Sequence, residues 1–428
     1  MALMEKPLTS GIQPGLPPPD LQAYERAGGY QGLRKALTMD PLTVQDWVHK
    51  ANVTGRGGAG FPAGRKWGSV PMGPDAPRPK YVVVNADEME PGTMKDRVLM
   101  EGDPHSVIEG ALTCAYAIQA DFVYIFLRNE YRLSAQRLTQ AIAEAYAAHY
   151  AGPHVLGSPW CVELRLHTSA GRYMCGEKSG ILNALEGKRA IPRAKPPRTA
   201  VSGLWGKPTV VNNVETIANT HHIVNHGWEW FKSLSHTDEG GTKLYGVSGP
   251  VQHPGVWELP MGTTVREILE GCAGGMRPGR AFRGLLPGGA STHFITAEHL
   301  DTRMDFASMR KIGSGLGTGT MIVLDDQTCP VNMLYGMELF YARESCGWCT
   351  PCREGLPWVM RTLAAIEAGE GQPGDLDVLD EHVALLSDGN TFCELAPGAM
   401  MPLGSALKHF RADFERHIAE HRCPWRSA

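Results

Sequence analysis

The sequence is short of long apolar runs. Its apolar runs, such as Phe122 to Leu127 and Met321 to Leu324, fall far below a membrane span. It also lacks an excess of charge of either sign. The net charge is −4 over 428 residues, and no basic stripe is interleaved with aromatics, which removes the simplest nucleic-acid footprint. No apolar core follows Glu5 and Lys6, so no secretory signal is expected, and the chain should be cytosolic or peripheral to a membrane. In that setting its ten cysteines should be reduced thiols or metal ligands, not disulfides. Internal repeats are absent too. What remains, 43% hydrophobic and 20% charged residues, suits a globular protein of two or three domains.

Four zones follow from the pattern. Residues 1–23 contain Gly11-Ile-Gln-Pro-Gly-Leu-Pro-Pro-Pro-Asp20, which proline keeps out of helix and central strand, so an extended arm is expected. Residues 24–235 alternate strand-like runs (Tyr81 to Asn85, Phe122 to Leu127) with helical stretches such as Pro104 to Ala120, the pattern of an α/β domain with a largely parallel sheet. Residues 236–325 hold short strands bounded by Gly and Pro: Lys243 to Gly249, Gly255 to Pro260 and Gly284 to Gly288. A helix over Thr264 to Glu270, capped by Thr263 or Thr264, completes a small α+β module. Residues 326–428 space apolar residues at three and four over Met333 to Arg343, Leu356 to Ala368, Leu376 to Leu386 and Leu403 to His421, which predicts a helical bundle.

The sharpest chemical signal is Cys346-Gly-Trp-Cys349-Thr-Pro-Cys352. Three thiolates at two-residue gaps suit a tight loop around one iron–sulfur cluster, and the fourth ligand must come from a distant segment. Spacing leaves Cys393 and Cys423 open as that fourth ligand. Structural zinc, which more often takes two separated Cys pairs, is the competing reading. Cys114, Cys161, Cys272, Cys329 and Cys423 read as inert core cysteines.

A second signal is the glycine run Gly55-Arg-Gly-Gly-Ala-Gly-Phe-Pro-Ala-Gly64. Its backbone N–H groups can turn toward a phosphate, with Arg56, Arg65 and Lys66 adding charge. The spacing is neither the Rossmann fingerprint nor the P-loop, and a plain flexible turn competes. Asn85-Ala-Asp-Glu-Met-Glu-Pro-Gly92 begins where a strand ends, the place where open α/β sheets bind ligands. Gly171 to Lys178 opens a helix whose N-terminus can hold phosphate. Asn212-Asn213 follows another short strand, where an ordinary Asn helix cap is the alternative.

Taken together, Gly55 to Gly64, Asn85 to Arg97, Gly171 to Arg189, Gly206 to Glu215, and Ala342 to Gly355 with Cys393 resemble the NADH-binding flavoprotein subunit family of respiratory complex I. The resemblance implies a Rossmann-like FMN-binding domain, a ubiquitin-like β-grasp module of the SLBB type and a C-terminal helical bundle carrying one [4Fe-4S] cluster. It implies oxidation of NADH by hydride transfer to FMN and passage of single electrons to the cluster, towards quinone. FMN contacts carried over from the family are Gly55, Arg56, Gly57, Gly58, Gly60, Lys66, Asn85, Asp87, Glu88, Tyr173, Gly176, Glu177, Asn212 and Asn213. NAD contacts are Phe61, Gly64, Arg65, Lys66, Glu90, Lys178, Lys195 and Arg198. Cluster ligands are Cys346, Cys349, Cys352 and Cys393. No covalent or acid/base catalyst is implied, with Glu88 and Glu177 acting as acids beside the flavin and nicotinamide. Expected partners are other peripheral-arm subunits, especially a small [2Fe-2S] thioredoxin-like subunit and a multi-cluster iron–sulfur subunit, on the cytoplasmic side of the bacterial inner membrane.

Three positions depart from the family pattern: Arg65 for Leu, Lys178 for Glu, and Arg198 for an adenine-stacking Phe. All add positive charge at the adenosine end. A basic group there accommodates a 2′-phosphate, so use of NADPH beside NADH is expected, against neutral drift at a pocket rim. A diaphorase subunit of an NAD(P)-linked hydrogenase or formate dehydrogenase, and a zinc-stabilised non-catalytic assembly module, are the remaining readings.

Overall fold

The computed structural model describes residues 5–426. The first four residues of the expected arm and the last two of the helical tail lie outside them. The chain forms two compact units. One comprises residues up to Met89, Met94–Tyr245 and Val256–Thr263, and the other comprises Glu90–Thr93, Gly246–Gly255 and the chain from Thr264 onward.

In the first unit, β-branched and aromatic runs form four parallel strands: β1 (Tyr81–Ala86), β2 (Phe122–Leu127), β3 (Glu163–Thr168) and β4 (Thr209–Asn213), in the order β3-β2-β1-β4. Parallel neighbours need crossovers. Pro104–Ile118 joins β1 to β2, Arg132–Ala147 joins β2 to β3, and Lys178–Leu185 lies between β3 and β4. Asp103 starts the first of these helices by accepting from Ser106 N at 3.2 Å, with Pro104 in the first turn. Alternate strand residues bury against opposite layers. Val82, Val84, Val123 and Ile125 pack with Ile108 and Leu112, while Tyr81, Val83, Phe126 and Val211 pack with Ile181 and Leu182. The chain builds outward from β1 to β3, then returns to lay β4 on β1's other side. The order therefore reverses between β1 and β4.

Among its described residues, the expected extended arm has no helix or strand before Leu21–Arg26, but it is tied down. Leu8 is buried, and the N–H groups of Leu8 and Thr9 donate to the Glu258 carboxylate at 3.0 and 2.8 Å.

The division between the units runs through β5 (Thr242–Ser248) and β6 (Gly255–Pro260). In the second unit β8 (Thr320–Asp325) pairs parallel with the end of β5 and antiparallel with β7 (Phe282–Leu286). Thr264 and Glu267 form a capping box: Thr264 N donates to Glu267 Oε2 at 2.8 Å and Glu267 N to Thr264 Oγ1 at 3.2 Å. Thr264 is thus the cap, and the short helix extends to Cys272. Among the described residues, five helices follow β8: Pro330–Glu344, Thr350–Ala368, Asp375–Leu385, Leu395–His409 and Arg411–Glu420. The single helix expected over Leu403 to His421 is in fact two, broken at Phe410. That buried ring packs edge-on to Phe294, centroids 5.3 Å apart, and lies 5.0 Å from the Arg283 guanidinium carbon. Its tertiary packing overrides the helical periodicity.

Candidate functional site

The carboxyl ends of β1 and β4 meet at the strand-order reversal, where α/β sheets open a crevice for ligands. The glycine run lies there, between the helices Pro41–Lys50 and Ala63–Trp67, pinned by the Thr54–Pro62 bridge and by Gly55 N donating to Phe61 O at 3.0 Å. Gly58 and Gly60 take φ of 112° and 66°, a region side chains disfavour. A Cβ on Gly57 would stand 3.1 Å from the Asn213 Cβ, so the loop rests on the end of β4. Among the described residues, the N–H groups of Gly57, Gly58 and Ala59 have no acceptor. Beside them the Asn212 Nδ2 is buried and also without one. Unspent donors at a strand end suit a phosphate. Lys66 donates to Val211 O at 2.6 Å and to Asn212 Oδ1 at 2.9 Å. Burial, and then the Lys178 charge, bring its ammonium down to about 8.

Several expected contacts are spent inside the fold. The Arg56 guanidinium does not lend charge to a ligand: it is fully buried and donates to Thr54 Oγ1 at 3.0 Å and Gly240 O at 2.8 Å. Glu88 is a helix cap and not a free flavin-side acid. Its carboxylate accepts from Lys95 N (2.9 Å), Asp96 N (2.8 Å) and the Tyr131 hydroxyl (3.0 Å). Burial, and then Asp96, push it up to about 7. Asn213 caps the Val214–Ala218 helix and donates to Asp96 Oδ2 at 2.6 Å, so the Asn-cap alternative describes it. Asp87 remains the buried acid at the end of β1, pushed up by burial to about 7.

Under the loop lies a network that the sequence pattern did not reveal. Lys95 Nζ pairs with Asp96 at 2.7 Å and Glu215 at 2.8 Å, Lys243 reaches Glu215 at 3.2 Å, and Arg56 N donates to Thr216 Oγ1 at 2.8 Å. Although burial works against it, Lys243, Lys95 and Arg56 hold the Glu215 carboxyl down at about 2. The signals available in the sequence were Lys95-Asp96 and Glu215, each inside a stretch already singled out.

Asn85 Nδ2 reaches Gly176 O at 3.3 Å and so joins the β1 end to the turn Tyr173–Gly176. The Lys178–Leu185 helix does not present a free N-terminus for phosphate. The Glu177 carboxylate already accepts from Ser179 N (2.7 Å) and Gly180 N (2.9 Å). Lys178, which follows it, lies within electrostatic reach of Lys195 and Arg198; burial first, then Lys195, lowers its ammonium. Phe61 stands 51% exposed and Arg65 is exposed. Gly64 is a packing glycine, since a Cβ there would come within 2.3 Å of the His49 Cα. Glu90 belongs to the second unit, where its carboxylate accepts from Ser291 N at 2.6 Å.

Cys346 and Cys349 sit between the Pro330–Glu344 and Thr350–Ala368 helices and Cys352 in the first turn of the second, with Gly347 at φ 72° bending the loop. Trp348 meets Phe392 edge-on at 6.2 Å, which brings the Cys393 segment to the run. Burial first, and then the thiols of Cys349, Cys393 and Cys346, push Cys352 up to about 12. Four converging thiols that repel one another's ionisation suit a cationic cluster. Cys423 lies elsewhere, against Cys329, so neither is an isolated core thiol; Cys161 is exposed and Cys272 half-buried.

Residues 48–222 match the Nuo51 FMN-binding domain, 244–295 an SLBB domain, and 332–417 the NADH-ubiquinone oxidoreductase-F iron–sulfur binding region. The chain is 50% identical over 415 residues to the F subunit of NADH-quinone oxidoreductase from Salmonella typhimurium, covering 97% of this chain and 93% of the relative. Its counterpart from Escherichia coli matches at the same identity and the same coverage, 97% and 93%. Among solved structures, an NAD+-reducing [NiFe]-hydrogenase in the H2-reduced state superposes with a TM-score of 0.80 at 32% identity, over 92% of this chain. The present chain spans 65% of that hydrogenase chain.

Proposed function

The chain belongs to the family of NADH-oxidising flavoprotein subunits of NADH-quinone oxidoreductase, and from that premise we infer how its own residues perform the family's reaction. It is the NADH-oxidising subunit of complex I, with FMN and one [4Fe-4S] cluster. FMN supplies the conversion of a hydride pair into single electrons, and the cluster supplies a one-electron relay. The observation that carries the residue assignment is the set of unspent donors at the β1–β4 reversal: the N–H groups of Gly57, Gly58 and Ala59 and the Asn212 amide. They hold the phosphate, with Lys66 adding charge. Asn85 and Asp87 face the rest of the flavin, and the Lys95–Asp96–Glu215 network keeps the loop's floor rigid. Phe61 offers an exposed face to the nucleotide. Cys346, Cys349, Cys352 and Cys393 bind the cluster.

The chain works as one subunit of a larger assembly, and no helix among the described residues is long and apolar enough to cross a membrane. A small [2Fe-2S] subunit and a multi-cluster iron–sulfur subunit are the partners we assign, on the cytoplasmic face of the bacterial inner membrane. Functionally we divide the chain into an arm (1–23), an FMN/NADH domain (24–235), an SLBB-type module (236–325) and a cluster domain (326–428). The hydrogenase likeness favours the same electron-input chemistry for a different acceptor, but near-full-length identity to the quinone-linked relatives makes quinone the end point.

The grouping of Lys66, Lys178, Lys195 and Arg198 supports use of NADPH as well as NADH. A 2′-phosphate meets an excess of cations there. Arg65, exposed to solvent, contributes least of the three departures. Steady-state kinetics with an artificial acceptor test both readings. The native chain should oxidise NADH, and the double change Lys178→Glu with Arg198→Phe should cut NADPH kcat/KM about tenfold more than NADH kcat/KM. A native chain inactive with NADH contradicts the first reading; unchanged NADPH use in the double variant contradicts the second.

A further inference from the structure

Away from the flavin residues and the cysteine run, four ligand-type side chains converge in the helical region. Cys329 caps the Pro330–Glu344 helix, Glu367 lies near the end of Thr350–Ala368, His417 lies on Arg411–Glu420, and Cys423 lies on the segment that follows. All four are buried, His417 completely, and one ligand atom of each lies within 4.8 Å of all the others. Cys329 Sγ is 3.3 Å from His417 Nε2 and 3.4 Å from Glu367 Oε2, and His417 Nε2 is 3.3 Å from Glu367 Oε2. A tetrahedral shell with bonds of about 2.0–2.3 Å has edges of about 3.3–3.8 Å. The three spacings fit it.

Protonation points the same way. His417 Nδ1 lies 2.7 Å from Asp413 O, an acceptor, so that nitrogen carries the proton and Nε2 turns a lone pair inward. A backbone carbonyl on the outer nitrogen is the usual support of a metal-bound imidazole. Inward, Nε2 and the Glu367 carboxylate face one another at 3.3 Å with the Cys329 sulfur beside both, so three ligand-type atoms point at one space. The Arg426 guanidinium, itself mostly exposed, reaches the other Glu367 carboxylate oxygen at 3.1 Å.

We propose that Cys329, Glu367, His417 and Cys423 bind one zinc-type divalent cation as a closed structural site. Binding releases the two thiol protons to solvent, with no change of oxidation state. Four protein ligands leave no open position for substrate, so the metal holds structure and performs no reaction. It staples the C-terminal segment and Arg411–Glu420 to the base of the Pro330–Glu344 and Thr350–Ala368 pair. The Cys346–Cys352 loop joins the opposite ends of that pair, about 20 Å away along helices of this length.

The test is elemental analysis of the full chain, purified anaerobically from zinc-supplemented medium. About one zinc per chain is expected beside the cluster iron, and Cys423→Ser and His417→Ala should each lower zinc at least about tenfold while leaving iron unchanged. No zinc in the native chain, zinc retained by both variants, or a Cys329–Cys423 disulfide counted as two missing thiols would overturn the proposal. Should the variants fail to fold, zinc-edge X-ray absorption of the native chain decides. Two sulfurs at about 2.3 Å with two nitrogen or oxygen neighbours at about 2.0 Å support the site, and a sulfur-free shell overturns it.

Discussion

The Lys66 ammonium is held between Val211 O and Asn212 Oδ1 and depressed by burial and Lys178 to about 8; in the proposed nucleotide site it is the titrating cation. It is charged below that pH and neutral above it, so anion binding weakens as pH rises. The dissociation constant for NADH should increase about tenfold between pH 7 and 9.5, and Lys66→Met should flatten that dependence while weakening binding at pH 7. A pH-independent constant in the native chain contradicts the assignment. Asp87 titrates in the opposite sense. Burial lifts its folded value to about 7, whereas the unfolded chain loses that proton near pH 4. Its contribution to stability is therefore complete below about pH 4 and lost as pH rises to about 7. Asp87→Asn should raise thermal stability more at pH 8 than at pH 5, by on the order of 2 kcal/mol at pH 8; an equal shift at both values refutes the burial account. Both residues were legible from sequence as site candidates. Their charge states were not, because burial and the Lys178 neighbour exist only in the fold.

The strands Tyr81–Ala86 and Phe122–Leu127 are local signals and lie where their residues predicted, whereas the strand expected over Gly284 to Gly288 runs Phe282–Leu286 and Glu163–Thr168 was not foreseen. The caps are not local in that way. Glu88 and Glu177 read from the sequence as acids beside the flavin and nicotinamide, and only the positions of Lys95–Arg97 and Ser179–Gly180 in the fold make them helix caps. Phe410 is similar: nothing in the spacing of Leu403 to His421 announces a break made by Phe294 and Arg283, more than a hundred residues earlier. Within the loop itself, Gly58 at φ 112° is the position that no side chain suits. Gly58→Ala should cost on the order of 1–2 kcal/mol locally and turn the loop's amides off the phosphate. Flavin content per chain, from the visible absorbance of purified protein, should fall by more than half with far-ultraviolet circular dichroism unchanged. Full flavin occupancy in that variant contradicts the loop's role.

At the scale of the whole chain, a hydride donor and a one-electron acceptor have to be matched by cofactors of different kinds, each held by its own part of the sequence. Composition gave no hint of this division; the spacing of Gly55 to Gly64 and of Cys346 to Cys352 did, and 50% identity to the Salmonella typhimurium relative over 415 residues agrees with it. The buried Cys329–Glu367–His417–Cys423 group was illegible because its members are scattered over some ninety residues and come together only through helix packing. The most direct measurement is anaerobic reduction of the full chain with NADH, followed by visible absorbance and low-temperature electron paramagnetic resonance in the native chain and Cys393→Ser. In the native chain the flavin band should bleach while a reduced-cluster signal grows. In Cys393→Ser the bleaching should persist and the cluster signal should disappear. A native chain without a flavin band, or a cluster signal untouched by Cys393→Ser, contradicts the account.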